Sequence, residues 1–417
     1  MRFASLLLLI APLLAGCTGV TSDDRAPTTS PTLARGPWHG VLTVNGARRL
    51  PFELEVLADS AGHPRALLRN GGESFHLTEF DLIAGDSLRI GLHVFDAALV
   101  GRVKGKSFKG YWQKFDGKKP FRVPFTLKPG APGQPSVEPA VDFSGRWAVT
   151  FTDDEGVAYP AVGELKQRGN LLSGTFLTTT GDYRYLRGTA RKDTVRLYTF
   201  DGAHGYVFEA RRQADGSLKG DFWSGMSGHE TWTARRDPQA QLPNADTLTG
   251  MKPGATRLRF KFPNIDEQTM VAITYPKYQG KVVVVQLLGT WCPNCLDETN
   301  FLAPWYRANR QRGVEVIGLG FERSADPQVA TARLRKLRDR LGITYDLALA
   351  GTADKAEASK ALPQLRGVLA FPTTIIVGKD GTVRRVHTGF SGPGTDKYYE
   401  EWQADFEQTI TGLLAEK

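Results

Sequence analysis

Apolar and polar positions follow two different patterns along the chain, and the pattern changes near residue 257. Between residues 36 and 237, short segments such as residues 52–57 (FELEVL) and 194–199 (TVRLYT) alternate apolar with polar side chains, and glycine, asparagine and aspartate residues separate them. A period of two predicts antiparallel strands with one buried face. No long run with a helical period interrupts this region, so it is predicted to be all β.

The region after residue 257 alternates strands with helices. Residues 281–288 (KVVVVQLL) form an apolar run of strand length, as expected for a parallel strand buried on both faces. The following pattern predicts, in order, a helix at residues 293–312, a strand at 314–319, a helix at 326–341, strands at 373–377 and 383–387, and a helix at 396–414. An Asp-Gly turn joins the last two strands. This order predicts a mixed α/β sheet.

The all-β region repeats itself. Residues 36–43 (GPWHGVLT) correspond to residues 144–150 (SGRWAVT), and residues 105–112 (GKSFKGYW) correspond to residues 215–223 (DGSLKGDFW). Offsets of about 109 to 111 residues predict a duplicated domain of about 95 residues, folded as two small barrels or sandwiches or as one composite. Three tryptophans of this region either line a ligand surface or belong to the core: Trp112, Trp223 and Trp232.

The N-terminus has the pattern of an export signal. Arg2 precedes an apolar run at residues 6–14, and residues 14–17 read Leu-Ala-Gly-Cys. The run is too short to stay as a membrane span. The last four residues resemble the lipobox of bacterial lipoproteins, which implies cleavage before Cys17, a lipid on its sulfur and membrane anchoring through that lipid. The alternative is an ordinary signal peptide that happens to contain a cysteine.

The chain has three cysteines, and lipid on Cys17 would leave two thiols, Cys292 and Cys295, in the stretch GTWCPNC. They can pair with each other or with another molecule. A zinc site would need two more ligands, and the seven histidines form no group of suitable spacing, so no metal is expected. A haem attachment would need histidine where Leu296 stands. A redox-active disulfide without a further cofactor remains.

The position of the two cysteines favours disulfide exchange. The chain turns after the apolar strand, and Pro293 suits the first position of a helix. Cys292 is therefore expected at the helix start, where unpaired N–H groups and the helix dipole favour the thiolate. Cys295 is expected one turn further on, close enough to attack a mixed disulfide formed on Cys292. The spacing thus predicts one attacking and one resolving cysteine.

Four features, in order along the chain from about residue 257, resemble the thioredoxin-like domain of envelope thiol-disulfide oxidoreductases of the TlpA/ResA type. They are the apolar strand followed by residues 291–295 (WCPNC), Glu298, residues 371–374 (FPTT) and residues 379–381 (KDG). The set spans roughly 160 residues, which makes it more specific than a lone pair of cysteines.

This resemblance implies roles for individual residues. Cys292 would attack, Cys295 would resolve, and Pro372 would be a cis proline that lies against the active disulfide. The alternative for Pro372 is a trans proline at the entry of a strand. Contacts with the substrate would come from Trp291, Pro293, Asn294 and Phe371.

Two acidic residues follow the second cysteine. Glu298 lies three residues after Cys295, so the two share a helix face, and a carboxylate there can raise the pKa of the thiol or exchange a proton with it. The resemblance implies the same catalytic role, and the alternative is a solvated acid that favours the helix dipole. Thioredoxins have a buried relay aspartate where this chain has Gln286, and Asp297 is predicted to lie at the surface.

The chain is thus predicted to be multidomain, with an α/β thioredoxin-like C-terminal domain and a duplicated all-β N-terminal region of barrels or sandwiches. Its linkers are rich in proline, glycine and polar residues. The predicted divisions are a lipoprotein signal peptide (1–16), a lipidated tether (17–35), a first β repeat (36–128), a linker (129–142), a second β repeat (143–237), a linker (238–256) and the redox domain (257–417).

The leading functional hypothesis is an oxidoreductase that reduces disulfides in the bacterial cell envelope. It would be lipid-anchored and periplasm-facing, at the outer membrane because Thr18 rather than aspartate follows Cys17. Its partners would be a disulfide-bearing protein or thiol substrate and a membrane electron donor. The alternatives are an oxidant or isomerase, and an envelope binding lipoprotein whose β repeats do the main work. A peroxidase of the peroxiredoxin group fits poorly, because that group expects proline where Val285 stands.

The net charge of +9 does not change this picture. Nucleic acid is not an expected partner for an exported lipoprotein, whatever its charge. A basic helix near residues 333–340 is predicted to present a solvated face that can attract anionic lipid or an acidic partner. Its basic residues are Arg333, Arg335, Lys336, Arg338 and Arg340.

Overall fold

The structure is a computed structural model that describes residues 33–83, 87–114, 121–131, 141–266 and 269–416. The predicted signal peptide, Cys17 and most of the tether lie outside these residues, as do residues 132–140 of the first predicted linker. In the described ranges, no helix is long and apolar enough to cross a membrane.

The first nine strands form one open antiparallel sheet. In β1 (Gly36–Val44) every second residue from Trp38 onward is buried, as the alternating pattern predicts. The other strands are β2 (Arg48–Ala58), β3 (Pro64–Asn70), β4 (Glu73–Leu77), β5 (Phe80–Ile83), β6 (Ser87–Gly91), β7 (Ala97–Lys104), β8 (Ser107–Lys114) and β9 (Phe121–Pro129). Their order is β4-β3-β2-β1-β9-β8-β7-β6-β5, and since β4 and β5 do not pair, the sheet is a half-barrel.

The next nine strands form a second antiparallel sheet, which closes. They are β10 (Gly145–Asp153), β11 (Ala158–Arg168), β12 (Leu171–Thr178), β13 (Gly181–Asp182), β14 (Leu186–Arg191), β15 (Thr194–Phe200), β16 (Gly205–Arg212), β17 (Leu218–Ser224) and β18 (Gly228–Arg236). Pairing of β11 with β12 closes the sheet into a barrel with an aromatic core that includes Phe151, Phe176, Phe208 and Trp232. The predicted all-β N-terminal region is confirmed, as one half-barrel and one closed barrel.

The two sheets share details that support a duplication. The first strand of each, β1 or β10, lies between the second and the ninth strand of its sheet. Trp38 donates from Nε1 to the carbonyl oxygen of Ala34 at 2.8 Å, and Trp147 donates in the same way to Phe143 at 3.0 Å. The same hydrogen bond over four residues therefore fixes the start of both copies.

The C-terminal region is a five-stranded mixed sheet with helices packed on it. Its order is β23-β22-β21-β24-β25, with the first three strands parallel and the last two antiparallel. The elements are β19 (Lys261–Pro263), β20 (Met270–Ala272), β21 (Val282–Leu288), α1 (Pro293–Asn309), β22 (Val314–Glu322), α2 (Pro327–Leu341), β23 (Asp346–Thr352), α3 (Lys355–Ala361), β24 (Thr373–Val377), β25 (Val383–Thr388) and α4 (Lys397–Ala415). Every residue of β21 is buried, as predicted. The mixed α/β sheet is confirmed, while β19, β20, β23 and α3 lie outside the predicted elements.

The basic face of α2 packs against the half-barrel and does not form the predicted solvated face. Arg333 pairs with Asp96, and Lys336 and Arg340 pair with Glu79 at 2.8 and 2.6 Å. The prediction was wrong for these three residues because their acidic partners are more than two hundred residues away in the sequence. Much of the local positive charge is thus neutralised within the chain.

The tryptophans of the β region belong to the core. Trp112, Trp223 and Trp232 are 1%, 8% and 1% exposed. Trp112 also joins the two sheets, since its Nε1 donates to the carbonyl oxygen of Gly202, in the β15–β16 turn, at 3.0 Å. The interpretation of these residues as a ligand surface is therefore wrong.

We expect Trp112→Phe to lower the free energy of unfolding by about 1 to 3 kcal/mol, because it leaves the buried carbonyl of Gly202 without its donor. Urea unfolding monitored by circular dichroism measures this change. The neighbouring Tyr111 is 46% exposed, so Tyr111→Phe serves as a control that should stay within about 0.5 kcal/mol. Equal stability of the two variants would contradict the prediction.

Candidate active site

The two cysteines lie at the junction of the buried strand β21 and helix α1. Cys292 is the residue that caps the N-terminus of α1, and its Sγ accepts a hydrogen bond from the backbone N–H of Cys295 at 3.2 Å. The two form a disulfide and are 6% and 1% exposed. Pro293 occupies the first helical position, where its missing N–H costs nothing. The expected placement of both sulfurs at the helix start is therefore present.

The segment before β24 lies against this disulfide. The peptide bond between Phe371 and Pro372 is cis, as the resemblance implies. The carbonyl oxygen of Phe371 lies 3.4 Å from Sγ of Cys292. This carbonyl and the backbone N–H of Cys295 are thus main-chain groups next to the sulfur that is predicted to attack.

Aromatic rings support one side of the site. Trp291 donates from Nε1 to the carbonyl oxygen of Phe321 at 2.9 Å, and the ring of Phe371 lies edge-on to Trp291 at 5.8 Å. The guanidinium of Arg323 lies 4.6 Å from the centre of the Trp291 ring, within cation–π distance. Trp291 is therefore held from three directions beside Cys292.

Glu298 is fully buried, between β21 and β24. Gln286 donates to its Oε2 at 2.7 Å, and the hydroxyl of Thr374 donates to its Oε1. Burial raises the pKa of Glu298 to about 7, although both hydrogen bonds act in the opposite direction. Neither cysteine sulfur is among the hydrogen-bond partners of this carboxyl within the described residues. The alternative of a solvated acid is wrong, because Glu298 has no exposed surface.

Asp297 is buried as well, which corrects the prediction that it lies at the surface. It is 7% exposed, and its Oδ2 accepts a hydrogen bond from Nη1 of Arg184 at 2.6 Å. Burial raises the pKa of Asp297 to about 8, Arg184 opposes this shift, and the nearby carboxyl groups of Glu73 and Asp182 add to it. Sequence reasoning missed these partners because they belong to the β region, which covers this turn of α1.

Arg184 is a site residue without a signal in the local sequence. It lies between β13 and β14 of the closed barrel, is buried, and donates from Nη1 to the carbonyl oxygen of Pro293 at 2.7 Å as well as to Asp297. It also donates to Glu73 of the half-barrel. In the sequence it is an arginine beside alternating β segments, which is common and does not mark a functional residue.

Asn294, between the cysteines, contacts the same part of the barrel. Its Nδ2 donates to the carbonyl oxygens of Asp182 and Phe390, both at 3.3 Å. The side chain is 8% exposed, so within the chain it contacts protein groups. Its predicted contact with a substrate stays a prediction.

The structure brings together all the predicted site residues that it describes, namely Trp291, Cys292, Pro293, Asn294, Cys295, Glu298, Phe371 and Pro372. The lipidation site, Cys17, lies outside the described residues. In the part of the chain that the structure covers, no group of three or more His, Cys, Asp or Glu side chains is arranged to hold a metal ion.

Residues 253–386 match the model of the AhpC/TSA family, and this match covers about a third of the chain. The thiol-disulfide oxidoreductase ResA of Geobacillus thermodenitrificans is 26% identical over 112 residues, which are 27% of this chain and 57% of the relative. ResA of Halalkalibacterium halodurans is 26% identical over 118 residues, 28% of this chain and 60% of that protein. The chain therefore spans less than two thirds of the length of these relatives.

Solved structures include a putative thiol:disulfide interchange protein DsbE from Chlorobium tepidum. It is 17% identical, with a TM-score of 0.31, and the match covers 40% of this chain and all of that one. A second solved structure is that of a thiol-disulfide isomerase from Corynebacterium glutamicum. It is 19% identical, with a TM-score of 0.30, and the match covers 40% of this chain and 100% of the isomerase chain.

Glu298→Gln should change how stability depends on pH. The folded protein holds the Glu298 proton more tightly than the unfolded chain does, since its pKa is raised from 4.5 to about 7. Its contribution to stability is therefore complete below about pH 4.5 and is lost as the pH rises through about 7.

As the pH rises from about 4.5 to about 8, the free energy of unfolding of the variant should increase relative to that of the parent protein, by up to about 3 kcal/mol. Urea unfolding of the oxidised proteins across this range measures the difference. Glu401→Gln, on the exposed face of α4, is the control and should run parallel to the parent. Parallel curves for Glu298→Gln would show that the carboxyl does not titrate in this range.

Proposed function

We propose that the chain is a thiol-disulfide oxidoreductase whose reactive group is the Cys292–Cys295 pair. One observation supports this most directly. The pair forms a disulfide at the N-terminus of α1, with the carbonyl oxygen of Phe371 lying 3.4 Å from Sγ of Cys292. A disulfide across two residues closes too short a loop to stabilise the fold much, so a structural role explains it poorly. Similarity of this region to ResA proteins also supports the proposal.

Cys292 is the attacking thiol in this proposal. The backbone N–H of Cys295 and the positive end of the helix dipole both favour a thiolate on Cys292. This thiolate attacks one sulfur of a substrate disulfide, forms a mixed disulfide and releases the other substrate sulfur as a thiolate, which takes up a proton. The backbone carbonyl of Phe371 lies beside the new bond and can accept a hydrogen bond from a substrate peptide.

Cys295 completes the exchange. Its thiolate attacks Sγ of Cys292, forms the Cys292–Cys295 bond and releases the second substrate sulfur, so that two electrons have passed to the substrate. Glu298 has a pKa of about 7 and is therefore present in both protonation states near neutral pH. It lies one helical turn after Cys295, so its charge controls how readily that thiol loses a proton.

The proposal also includes the setting of the reaction. A lipid on Cys17 would anchor the chain in the bacterial envelope, facing the periplasm and at the outer membrane. A dithiol donor in the membrane would then return the oxidised pair to the dithiol form. The substrate is a disulfide-bearing protein or a small disulfide.

Cys292→Ser and Cys295→Ser should each lower the rate of reduction of a small disulfide, 2-hydroxyethyl disulfide, at least about a hundredfold, because the attacking or the resolving thiolate is lost. The background is the full chain with Cys17→Ser, in which these are the only cysteines left. Mass spectrometry should find a mixed disulfide between Cys292 and half of the small disulfide in the Cys295→Ser variant, and no such adduct in the Cys292→Ser variant. Ser173→Ala, at an exposed position of the closed barrel, is the control, and unchanged rates in both cysteine variants would refute the proposal.

The midpoint potential of the pair decides the direction of electron flow. We expect a value below about −220 mV, the range of thioredoxin-like reductants, for a protein that reduces disulfides. Alkylation after equilibration in glutathione or dithiothreitol buffers measures it. A value near −120 mV would make the protein an oxidant.

A further inference from the structure

The dithiol is covered by the chain's own β region. Every residue from Cys292 to Thr299 is buried, although these residues form the start of a surface helix in the redox domain. Cys292 itself is only 6% exposed, whereas a thiol that exchanges with another protein has to be reached by that protein's sulfur. The elements that exclude solvent here are therefore part of how the site selects its substrate.

The closed barrel covers one side of the dithiol with residues 179–185, which we call the covering loop. A Cβ atom added at Gly181 of this loop would lie 2.5 Å from Nδ2 of Asn294, so the side chain of Asn294 packs directly on the backbone of Gly181. Asp182 accepts a hydrogen bond on Oδ2 from the backbone N–H of Gly392 at 2.7 Å, in the connection between β25 and α4. The loop thus contacts both the CxxC segment and a second segment beside it.

Arg184 holds the covering loop in place. Its guanidinium donates to the carbonyl oxygen of Pro293 and to Asp297 on the redox domain, and to Glu73 on the half-barrel. Asp201 lies 3.6 Å from its Nε. The backbone of Arg184 has φ = 57°, a left-handed conformation that non-glycine residues adopt only when the surroundings enforce it.

The half-barrel covers the other side, next to Trp291. Phe95, Ala97 and Lys114 of the half-barrel meet Trp291 and Arg323 around a cavity of about 20 Å³. This space holds about one water molecule, and a peptide cannot enter it. The half-barrel therefore leaves no room for a peptide beside Trp291, whereas Cys292 keeps a small exposed surface.

The covering loop has room to move on its outer side. A cleft of about 570 Å³ lies between the closed barrel, the second linker and α4, and Thr179, Gly181 and Phe390 line the end of it that is nearest to Asn294. The contacts that hold the loop are ionic and polar, and water can hydrogen-bond to the same groups when the loop moves away. The geometry therefore allows an open and a closed arrangement.

We propose that the covering loop, held by Arg184, is a gate that selects substrates by size. In the closed arrangement small disulfides reach Cys292, whereas a protein disulfide reacts only in the fraction of molecules in which the loop has moved away. This inference rests on the proposed thiol-disulfide exchange. It assigns Arg184 and Gly181 a role in specificity that is separate from the chemistry at the sulfurs.

The test compares two glycine variants of the closed barrel in the Cys17→Ser chain. Gly181→Ala places a methyl group against the side-chain amide of Asn294, at a φ of +142° that alanine rarely adopts, and should displace the loop. Gly169→Ala is the matched control, because Gly169 also has a positive φ, in the β11–β12 turn, but a Cβ atom there meets nothing within 4 Å. Each reduced protein is assayed with insulin as the protein disulfide and with 2-hydroxyethyl disulfide as the small one.

We expect Gly181→Ala to raise the rate with insulin at least about tenfold and to change the rate with 2-hydroxyethyl disulfide less than about twofold, since the gate alters access through the population of the open state. Gly169→Ala should change neither rate. An unchanged ratio of the two rates in Gly181→Ala overturns the gate. Absence of reaction with the small disulfide in the parent protein would instead overturn the proposed function, so the two failures are distinguishable.

A second measurement needs no variant. For each reagent, the rate of reaction of Cys292 in the reduced parent protein is divided by its rate in urea. This ratio should be at least about tenfold higher for iodoacetamide than for a maleimide on a 5-kDa polyethylene glycol. Equal protection from both reagents overturns the gate. Arg184→Met, which leaves Asp297, Glu73 and Asp201 without their shared cation, should bring the polymer reagent close to its rate in urea while the circular dichroism of the barrels is kept.

Discussion

The arrangement of this protein depends on one buried guanidinium. Arg184 bonds to Glu73, 111 residues before it, and to Pro293 and Asp297, 109 and 113 residues after it, so one side chain joins the half-barrel, the closed barrel and the redox helix. A buried charge is tolerated only when its hydrogen-bonding groups are satisfied, and loss of one partner leaves the others uncompensated. The three parts of the chain therefore fix one another's positions beside the proposed reactive disulfide.

The proposed redox chemistry depends in turn on the junction of β21 and α1. The strand is buried along its whole length, so it holds the start of the helix, and with it Cys292, at a fixed place against Phe371. Glu298 is buried one helical turn after Cys295 and accepts a hydrogen bond from Gln286. Gln286 stands at the position where thioredoxins have a titratable aspartate. In the proposed mechanism the titrating group beside the cysteines is thus a carboxyl of raised pKa that belongs to the helix itself.

The two β sheets, though similar in sequence and strand order, have different relations to the redox domain. The half-barrel shares one continuous apolar core with it, and its Asp96 and Glu79 pair with the basic face of α2. The closed barrel has its own aromatic core, adds Phe200, Val207 and Trp223 to the shared one, and touches the candidate site through polar groups such as Asp182 and Arg184. The proposed gate therefore involves the covering loop and not a movement of the whole closed barrel.

The sequence by itself determined the features that depend on local periodicity and short spacing: alternating strands in the β region, the buried strand before the cysteines, Cys292 at a helix start and Cys295 one turn later. These follow from nearest-neighbour backbone geometry. Only the tertiary structure decided that Asp297 is buried, that Arg184 belongs to the site and that the basic residues of α2 are paired. Their partners lie more than a hundred residues away, and the burial that sets their charge states arises only when the β sheets pack on the redox domain.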